Sequence, residues 1–286
     1  MRRRPRVSTL TSLSVVVALL AAGPLFGQTS PESCRAHGSG LTVDHIVIAV
    51  SDLEDSAADF RSLGFTIKPG RLHPNGLLNS HVKFVDGTSL ELMSVAGEPT
   101  DAVAANYADF LRAGDGGAFA AIEADPHRVI RVASALSLPA QLTRSGPFTW
   151  VTVDDSQYGP GGQRSPVFFV SYLARSADAD SLLVHDAGVV GIGSVRLDAT
   201  DALADMLVRL GARHCPADPE GEADSSVIVG LANAELVLLT KGAMRHRRKA
   251  VRDVTLLGTP TTLVSQPVLL DDRMTHGVRL TLAAGK

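Results

Sequence analysis

The chain has few of the residues that nucleic-acid sites use. Aromatic residues make up 5% of its 286 residues, and 27 Lys and Arg stand against 30 Asp and Glu, which leaves a net charge of -3. Proteins that bind nucleic acids usually concentrate positive charge and aromatic stacking positions on one surface. We therefore expect no nucleic-acid partner. The apolar content of 45% is that of a folded protein, and the length allows one large domain or two small ones.

Cysteine is also scarce. The sequence contains only Cys34 and Cys215, so it has no Cys-x-x-Cys motif, and it also lacks a Gly-rich phosphate loop and a Gly-x-Ser-x-Gly motif. Two cysteines in an exported chain can form a disulfide, and two unpaired thiols are the alternative. The sequence does not give the distance between them, so both interpretations stay open.

The N-terminus has the pattern of a targeting segment. Four arginines within the first six residues precede the apolar run Val15–Ala22, and small residues follow as far as Gly27. This pattern predicts a signal peptide over residues 1–27 and a polar linker over residues 28–40. A retained membrane anchor is the alternative, but the apolar run is short for a bilayer. We expect a periplasmic or secreted protein with no stable membrane span after cleavage.

One strand-to-helix pattern occurs three times. In each copy an apolar run ends at a polar residue suited to cap a helix; the copies are Asp44–Glu54, Phe119–Pro126 and Gly193–Asp201. Such repetition predicts an α+β fold built from βαβββ units. We expect two units over residues 41–175, a third over residues 188–241, and a tail over residues 242–286 packed on the third.

In the first unit the pattern predicts one helix among four strands. The first strand is expected over Thr42–Val50, and Ser51 with Glu54 has the capping-box spacing for a helix that ends near Leu63. Three strands should follow, over residues 65–68, 80–85 and 88–95. In the second unit the Gly-rich loop over residues 154–165 is expected to lie over a cavity.

Alternation along these strands predicts which side chains share a face. The apolar residues of each strand should pack under the helix, which leaves His45, His81 and Glu91 on the opposite, inward-curving face of the sheet. Two imidazoles and one carboxylate are ligand types for Zn, Ni, Mn or non-haem Fe. The alternative is a partly buried histidine that is hydrogen-bonded to Glu91.

The element order and two short motifs resemble the vicinal oxygen chelate superfamily, which includes glyoxalase I, extradiol dioxygenases and bleomycin-resistance proteins. The motifs are Asp44-His45-Ile46-Val47 and Ser89-Leu90-Glu91-Leu92. The sequence more closely resembles the glyoxalase-like domain, whose Gly-rich, His-Pro segment is matched by Gly70 to Gly76 with Asn79. The resemblance covers residues 41–173 and implies a cupped mixed sheet around a small-molecule cavity.

The resemblance also implies a divalent metal. In metal-binding members one ligand comes from the first strand and another from the last strand of each of two units. His45 and Glu91 hold these positions in the first unit, whereas the second unit has Ala118 at the histidine position and no carboxylate on its last strand. Either His81 or water completes a Zn, Ni, Mn or Fe site, or no metal binds. Glu91 would be the catalytic carboxylate, as ligand or as general base.

Three further residues are candidates for substrate binding. His73 can cover the site from a Pro-Asn-Gly turn, Asn79 can bond a ligand carbonyl, and Trp150 can stack a ligand in the second unit. The alternatives are an exposed turn residue, a turn cap and a core tryptophan.

Together these features predict an exported protein that binds a small molecule in a cupped cavity. If it is an enzyme, the resemblance implies metal-dependent lyase, isomerase or dioxygenase chemistry on vicinal oxygens. The alternative is a non-catalytic module that sequesters its ligand, as bleomycin-resistance proteins do. A third class, a structural or partner-binding protein, would have its cavity filled by Met93, Phe168, Phe169 and Trp150.

Overall fold

The computed structural model describes residues 34–154, 164–216, 226–240, 250–259 and 267–283. The predicted signal peptide lies outside the described residues, as do residues 28–33 of the predicted linker. Residues 155–163, most of the loop expected over the cavity, also lie outside them.

The helices in the described part of the chain are short. They are α1 (Leu53–Ser62), α2 (Ala102–Leu111), α3 (Pro126–Ala135) and α4 (Asp201–Arg209). Within the described ranges, no helix has the length and apolar character needed to cross a bilayer. The cap of α1 differs from the expected one. Asp52 rather than Ser51 accepts from the first backbone N–H groups, because the Ser51 hydroxyl donates to Asp115 Oδ1 at 2.6 Å.

The strands form one mixed sheet. They are β1 (Thr42–Ala49), β2 (Lys68–Leu72), β3 (Leu77–Lys83), β4 (Ser89–Val95), β5 (Gly116–Glu123), β6 (Ala140–Ser145), β7 (Phe148–Asp154), β8 (Arg164–Tyr172), β9 (Val189–Asp198), β10 (Arg213–Cys215), β11 (Ser226–Gly230), β12 (Glu235–Leu239), β13 (Val251–Gly258), β14 (Val268–Leu269) and β15 (Arg279–Ala283). The second strand was predicted over residues 65–68 but begins at Lys68, because Phe65 and Ile67 are buried in the core before the strand starts.

The pairing of the strands repeats along the chain. In each of the first three units the last strand lies parallel to the first, as β1 with β4, β5 with β8, and β9 with β12. The tail repeats this pairing, since β15 lies parallel to β13. First strands also pair with one another in antiparallel fashion, β1 with β5 and β9 with β13. The result is an α+β fold with an open, cupped mixed sheet, as predicted.

The two halves of the sheet meet at a narrow seam. The seam is the pairing of β13 with β5 through Val251 and Gly117. A Cβ on Gly117 would lie 2.5 Å from the Val251 carbonyl oxygen, so only glycine allows this approach. β13 therefore makes one continuous sheet from both halves.

A disulfide joins the start of the described chain to the third unit. Cys34 and Cys215 are bonded, with their Cα atoms 6.0 Å apart. The Cys34 backbone N–H also donates to Glu235 Oε1 at 2.7 Å, which gives this carboxylate a structural contact. The interpretation as two unpaired thiols is therefore wrong for this fold.

Helix α2 was not predicted. It follows β4, is capped by Asp101, and packs Tyr107 and Phe110 against Val47 and Met93 on the face of the sheet opposite α1. We call this face the concave face: it is the side of β1, β3 and β4 that carries Val47, Met93 and the polar side chains described next. Helix α2 fills one end of it and leaves the other end to those polar groups.

Candidate functional site

The strand register brings the predicted residues of the first unit together. On β4, Ser89 pairs with His45 of β1 and Glu91 pairs with His81 of β3. Period-two alternation then places all four side chains on the concave face. His45 Nε2 lies 3.3 Å from Glu91 Oε2, and His81 Nε2 lies 3.8 Å from Glu91 Oε1. The prediction that His45, Glu91 and His81 share a face is confirmed by these distances.

His45 is held between two carboxylates. The register of β1 against β5 shifts between Val43 and His45, and Asp44 and His45 turn towards each other there. Asp44 Oδ1 lies 2.6 Å from His45 Nδ1. Burial alone would lower the pKa of His45, but its hydrogen bonds to Asp44 and Glu91 outweigh burial and raise the pKa to about 9. His45 is therefore an imidazolium at neutral pH.

Glu91 is ionised in the same cluster. Burial would raise its pKa, but the hydrogen bond and charge of His45 lower the pKa to about 2. Asn79 Nδ2 donates to Glu91 Oε1 at 2.7 Å and thereby satisfies the second carboxylate oxygen. The His45–Glu91 contact is thus an ion pair with a fixed geometry.

Asn79 also fixes the state of His81. The backbone N–H of Arg71 donates to Asn79 Oδ1 at 3.0 Å, which points the amide nitrogen at the cluster. That nitrogen lies 3.2 Å from His81 Nε2, so Nε2 accepts and Nδ1 carries the proton. Burial lowers the pKa of His81 to about 4, and the ring is neutral at pH 7. Its buried Nδ1 has no hydrogen-bond partner among the described residues.

The second unit supports the site from behind. Tyr172 at the end of β8 donates to Asp44 Oδ1 at 3.0 Å, and Arg175 bonds the other oxygen of Asp44. Arg175 also reaches Glu123 at 2.8 Å and lies 4.0 Å over the Tyr172 ring. Burial would raise the pKa of Asp44, but His45 and Arg175 lower it. The second unit therefore keeps Asp44 ionised, and Asp44 is the carboxylate that orients His45.

A match to a known sequence profile shows the family of the chain. The sequence profile of the glyoxalase-like domain matches residues 43–211. The chain belongs to the glyoxalase-like domain family. No curated protein matches the sequence of this glyoxalase-like protein.

Solved structures share the fold at low sequence identity. A hypothetical protein from Staphylococcus aureus has a TM-score of 0.59 and 12% identity, over 85% of this chain and 99% of its own. The 2,3-dioxygenase LapB from Pseudomonas sp. KL28 has a TM-score of 0.51 and 10% identity, over 85% and 91%. A variant of homoprotocatechuate 2,3-dioxygenase from B. fuscum has a TM-score of 0.52 and 13% identity, over 86% and 72%. The fold is that of the vicinal oxygen chelate superfamily.

The donor atoms of this glyoxalase-like protein do not fit a metal centre with three protein ligands. Among the described residues, no group of three or more His, Cys, Asp and Glu side chains is arranged to hold an ion. His45 Nε2 and Glu91 Oε2 converge, but His81 Nε2 accepts from the Asn79 amide. At the position expected for a second-unit histidine lies the buried Ala118. Two converging donors are fewer than the three that metal sites of this kind use.

The structure places the predicted substrate-binding residues at different points. Asn79 is part of the cluster, as described above. His73 lies in the turn between β2 and β3, where its backbone N–H donates to Leu77 O at 2.7 Å. Trp150 lies on β7 and stacks on Phe148, with 5.4 Å between ring centroids. Neither His73 nor Trp150 bonds to the cluster within the described residues, and their role in substrate binding stays a prediction.

An aromatic side chain that the sequence offered only as a possible filler of the cavity contacts the site. Phe168 lies on β8 with its ring centroid 5.6 Å from that of His45, in an edge-on geometry. Phe119 of β5 lies 6.2 Å from Phe168. The second unit therefore lines the site with apolar rings in place of ligands, and its Phe168 borders the ion pair directly.

Proposed function

We propose that this glyoxalase-like protein binds a small organic molecule on the concave face of its first unit. In this proposal the His45–Glu91 ion pair meets the polar atoms of the ligand. One observation carries it: the pair is ionised and enclosed by protein, yet the two side chains keep 14% and 10% of their exposure. Burying such a pair costs several kcal/mol per ion before pairing, and an apolar pair of similar size is often equally stable. Perturbed ionisable groups at an accessible face are typical of functional sites.

The pair supplies a donor and an acceptor side by side. The His45 imidazolium can donate its Nε2 proton to a ligand oxygen, and Glu91 can accept a proton from a neighbouring ligand atom. Asp44 keeps the imidazole oriented, and the Asn79 amide keeps the Glu91 carboxylate oriented. If the protein is catalytic, we propose proton transfer between adjacent atoms of the ligand, as in a lyase or isomerase. Without turnover, the same groups make it a sequestering module.

We also propose that the mature protein is periplasmic or secreted. The Cys34–Cys215 disulfide supports this location, because disulfides persist in oxidising compartments and are rare in the cytosol. The arginine-rich, apolar N-terminus of the sequence supports it as well. N-terminal sequencing of the chain expressed with its natural leader tests the proposal. A mature N-terminus near residue 28 is expected, and an intact Met1 would contradict it.

Ligand-observed NMR with a library of small oxygenated fragments tests the binding function. Fragments should bind the wild-type protein and compete with one another for one site, while the His45→Ala and Glu91→Gln variants should lose them. His127→Ala is the matched control, because His127 is exposed on α3, and α3 packs into the core on the side of the sheet opposite the concave face. Melting temperatures of all variants separate lost binding from lost folding.

Elemental analysis of protein purified without chelators tests the metal. We expect less than stoichiometric Zn, Ni, Mn and Fe. Stoichiometric metal that both His45→Ala and Glu91→Gln remove would contradict the conclusion that the donors do not fit a metal centre, and would restore metal-dependent chemistry as the function.

In the fragment experiment, binding that survives in both variants would refute the concave face as the site.

A further inference from the structure

We infer that the ligand of this face carries a carboxylate, and that Lys83 binds it. The inference rests on the proposed function and names the class of ligand: a small organic anion with an apolar body. It depends on the position of Lys83 on β3 and on the groups that Lys83 contacts.

Lys83 lies in the same row of the sheet as His45. Ser89 of β4 pairs with His45 on one side and with Lys83 on the other. The neighbours of Lys83 along β3, Val82 and Phe84, are buried under α1, so the lysine side chain lies on the concave face. Two strand spacings separate the two residues, about 10 Å. An organic molecule of modest size spans that distance.

The backbone of Lys83 is fixed. His185 Nε2 lies 2.8 Å from the Lys83 carbonyl oxygen, and the other ring nitrogen of His185 accepts from the Thr66 backbone N–H at 2.9 Å. The lysine therefore leaves β3 from a rigid position, which reduces the entropy that a ligand contact must offset.

Lys83 differs from its cationic neighbours in forming no salt bridge with any described residue. Lys68 is paired with Asp178, and Arg175 bonds both Asp44 and Glu123. In the described ranges no carboxylate oxygen lies within 4 Å of Lys83, and its hydrogen-bond partner is the Ser89 hydroxyl at 3.3 Å. Asp44, Asp178 and Glu91 attract the Lys83 ammonium only from beyond 4 Å. A half-buried ammonium without a contacting carboxylate carries a desolvation cost that an incoming anion offsets.

The aromatic side chains at the other end of this row of residues indicate that the ligand has an apolar body. Beyond His45, β5 and β8 present Phe119 and Phe168, whose rings lie edge-on to each other. A ligand with its carboxylate at Lys83 and its middle atoms at the ion pair would place its apolar end on Phe168. A neutral amide of the same shape would make every contact except the charged one.

A panel of matched pairs tests the inference. Each pair is a small aryl or alkyl carboxylate and its primary amide, with affinities measured by ligand-observed NMR on the wild-type protein. Carboxylates should bind about tenfold more tightly than their amides, as a charge-assisted hydrogen bond provides. In Lys83→Met the ratio should fall to about one, and Lys83→Arg should restore part of it.

Arg209→Met is the matched control. It removes a cation of α4 in the third unit that already has a carboxylate partner, Asp205, and the carboxylate preference should persist. Equal binding of carboxylates and amides by the wild type, or a preference that survives in Lys83→Met, would overturn the inference and leave the proposed function standing. If neither class binds the wild type, the inference and the proposed function both fail.

Discussion

The His45 ion pair should make stability depend on pH in the alkaline range. The pKa of His45 is about 9 in the fold against 6.5 for an ordinary histidine. Because the pKa of His45 is higher in the fold, its full contribution to the free energy of unfolding is present below pH 6.5. This contribution is lost as the pH rises towards 9. Each unit of difference corresponds to about 1.4 kcal/mol, so the loss should be about 3 kcal/mol.

Urea unfolding at several pH values measures the effect. The free energy of unfolding should fall between pH 6.5 and 9.5 in the wild type, and it should fall by about 3 kcal/mol less in His45→Gln. Glu91 does not contribute to this change, because its pKa of about 2 keeps it ionised throughout. The neutral His81 ring does not contribute either, since its pKa is about 4.

Two controls make the result decisive. His127→Gln alters an exposed histidine of α3 and is the matched control, so the change in the pH profile of His45→Gln should exceed the change in this variant. NMR titration of labelled histidines should place one imidazole pKa near 9 in the wild type and remove it in His45→Gln. Parallel unfolding profiles for the wild type and His45→Gln, or an imidazole that titrates near 6.5, would refute the ion pair.

Three further predictions concern the surrounding structure. Gly70→Ala should destabilise the protein by at least about 2 kcal/mol in urea unfolding, because the added methyl would lie 1.9 Å from a β3 carbonyl oxygen; Gly193→Ala, which meets only a flexible leucine side chain, should cost less. Burial lowers the pKa of His185, so its contribution is present above pH 6.5 and lost as the pH falls through the folded value; His185→Gln should flatten the acid side of the unfolding profile. Replacing Cys34 and Cys215 by serine should cost about 2–5 kcal/mol, and dithiothreitol should then no longer change the melting temperature.

The shared face of His45 and Glu91 could be predicted because it depends on local rules. Alternation along one strand is fixed by the pleat, and the apolar residues under α1 identify the buried side. Asp44 shows where this reasoning ends. Alternation alone places it opposite His45, and the register shift against β5 that brings their side chains together has no signal in a single strand.

Other parts of the site depend on contacts far along the chain. Tyr172 and Arg175 reach Asp44 from more than a hundred positions away, and no local pattern indicates such a pairing. Helix α2 is different, because its sequence carries local helix signals, namely Asp101 as the cap and the apolar residues that follow. It was not predicted because it lies between two repeats, where the βαβββ pattern has no helix.

The segment between the two halves of the sheet has a consequence for protein engineering. Arg175 and Asp178 belong to the stretch that joins β8 to β9, yet they bond side chains of the first unit. A split made in that stretch for fragment expression, circular permutation or gene fusion would separate Asp44 and Lys68 from their counterions. The repeats are therefore not independent at this point of the chain, because a break there would remove side-chain contacts that hold residues of the concave face in place.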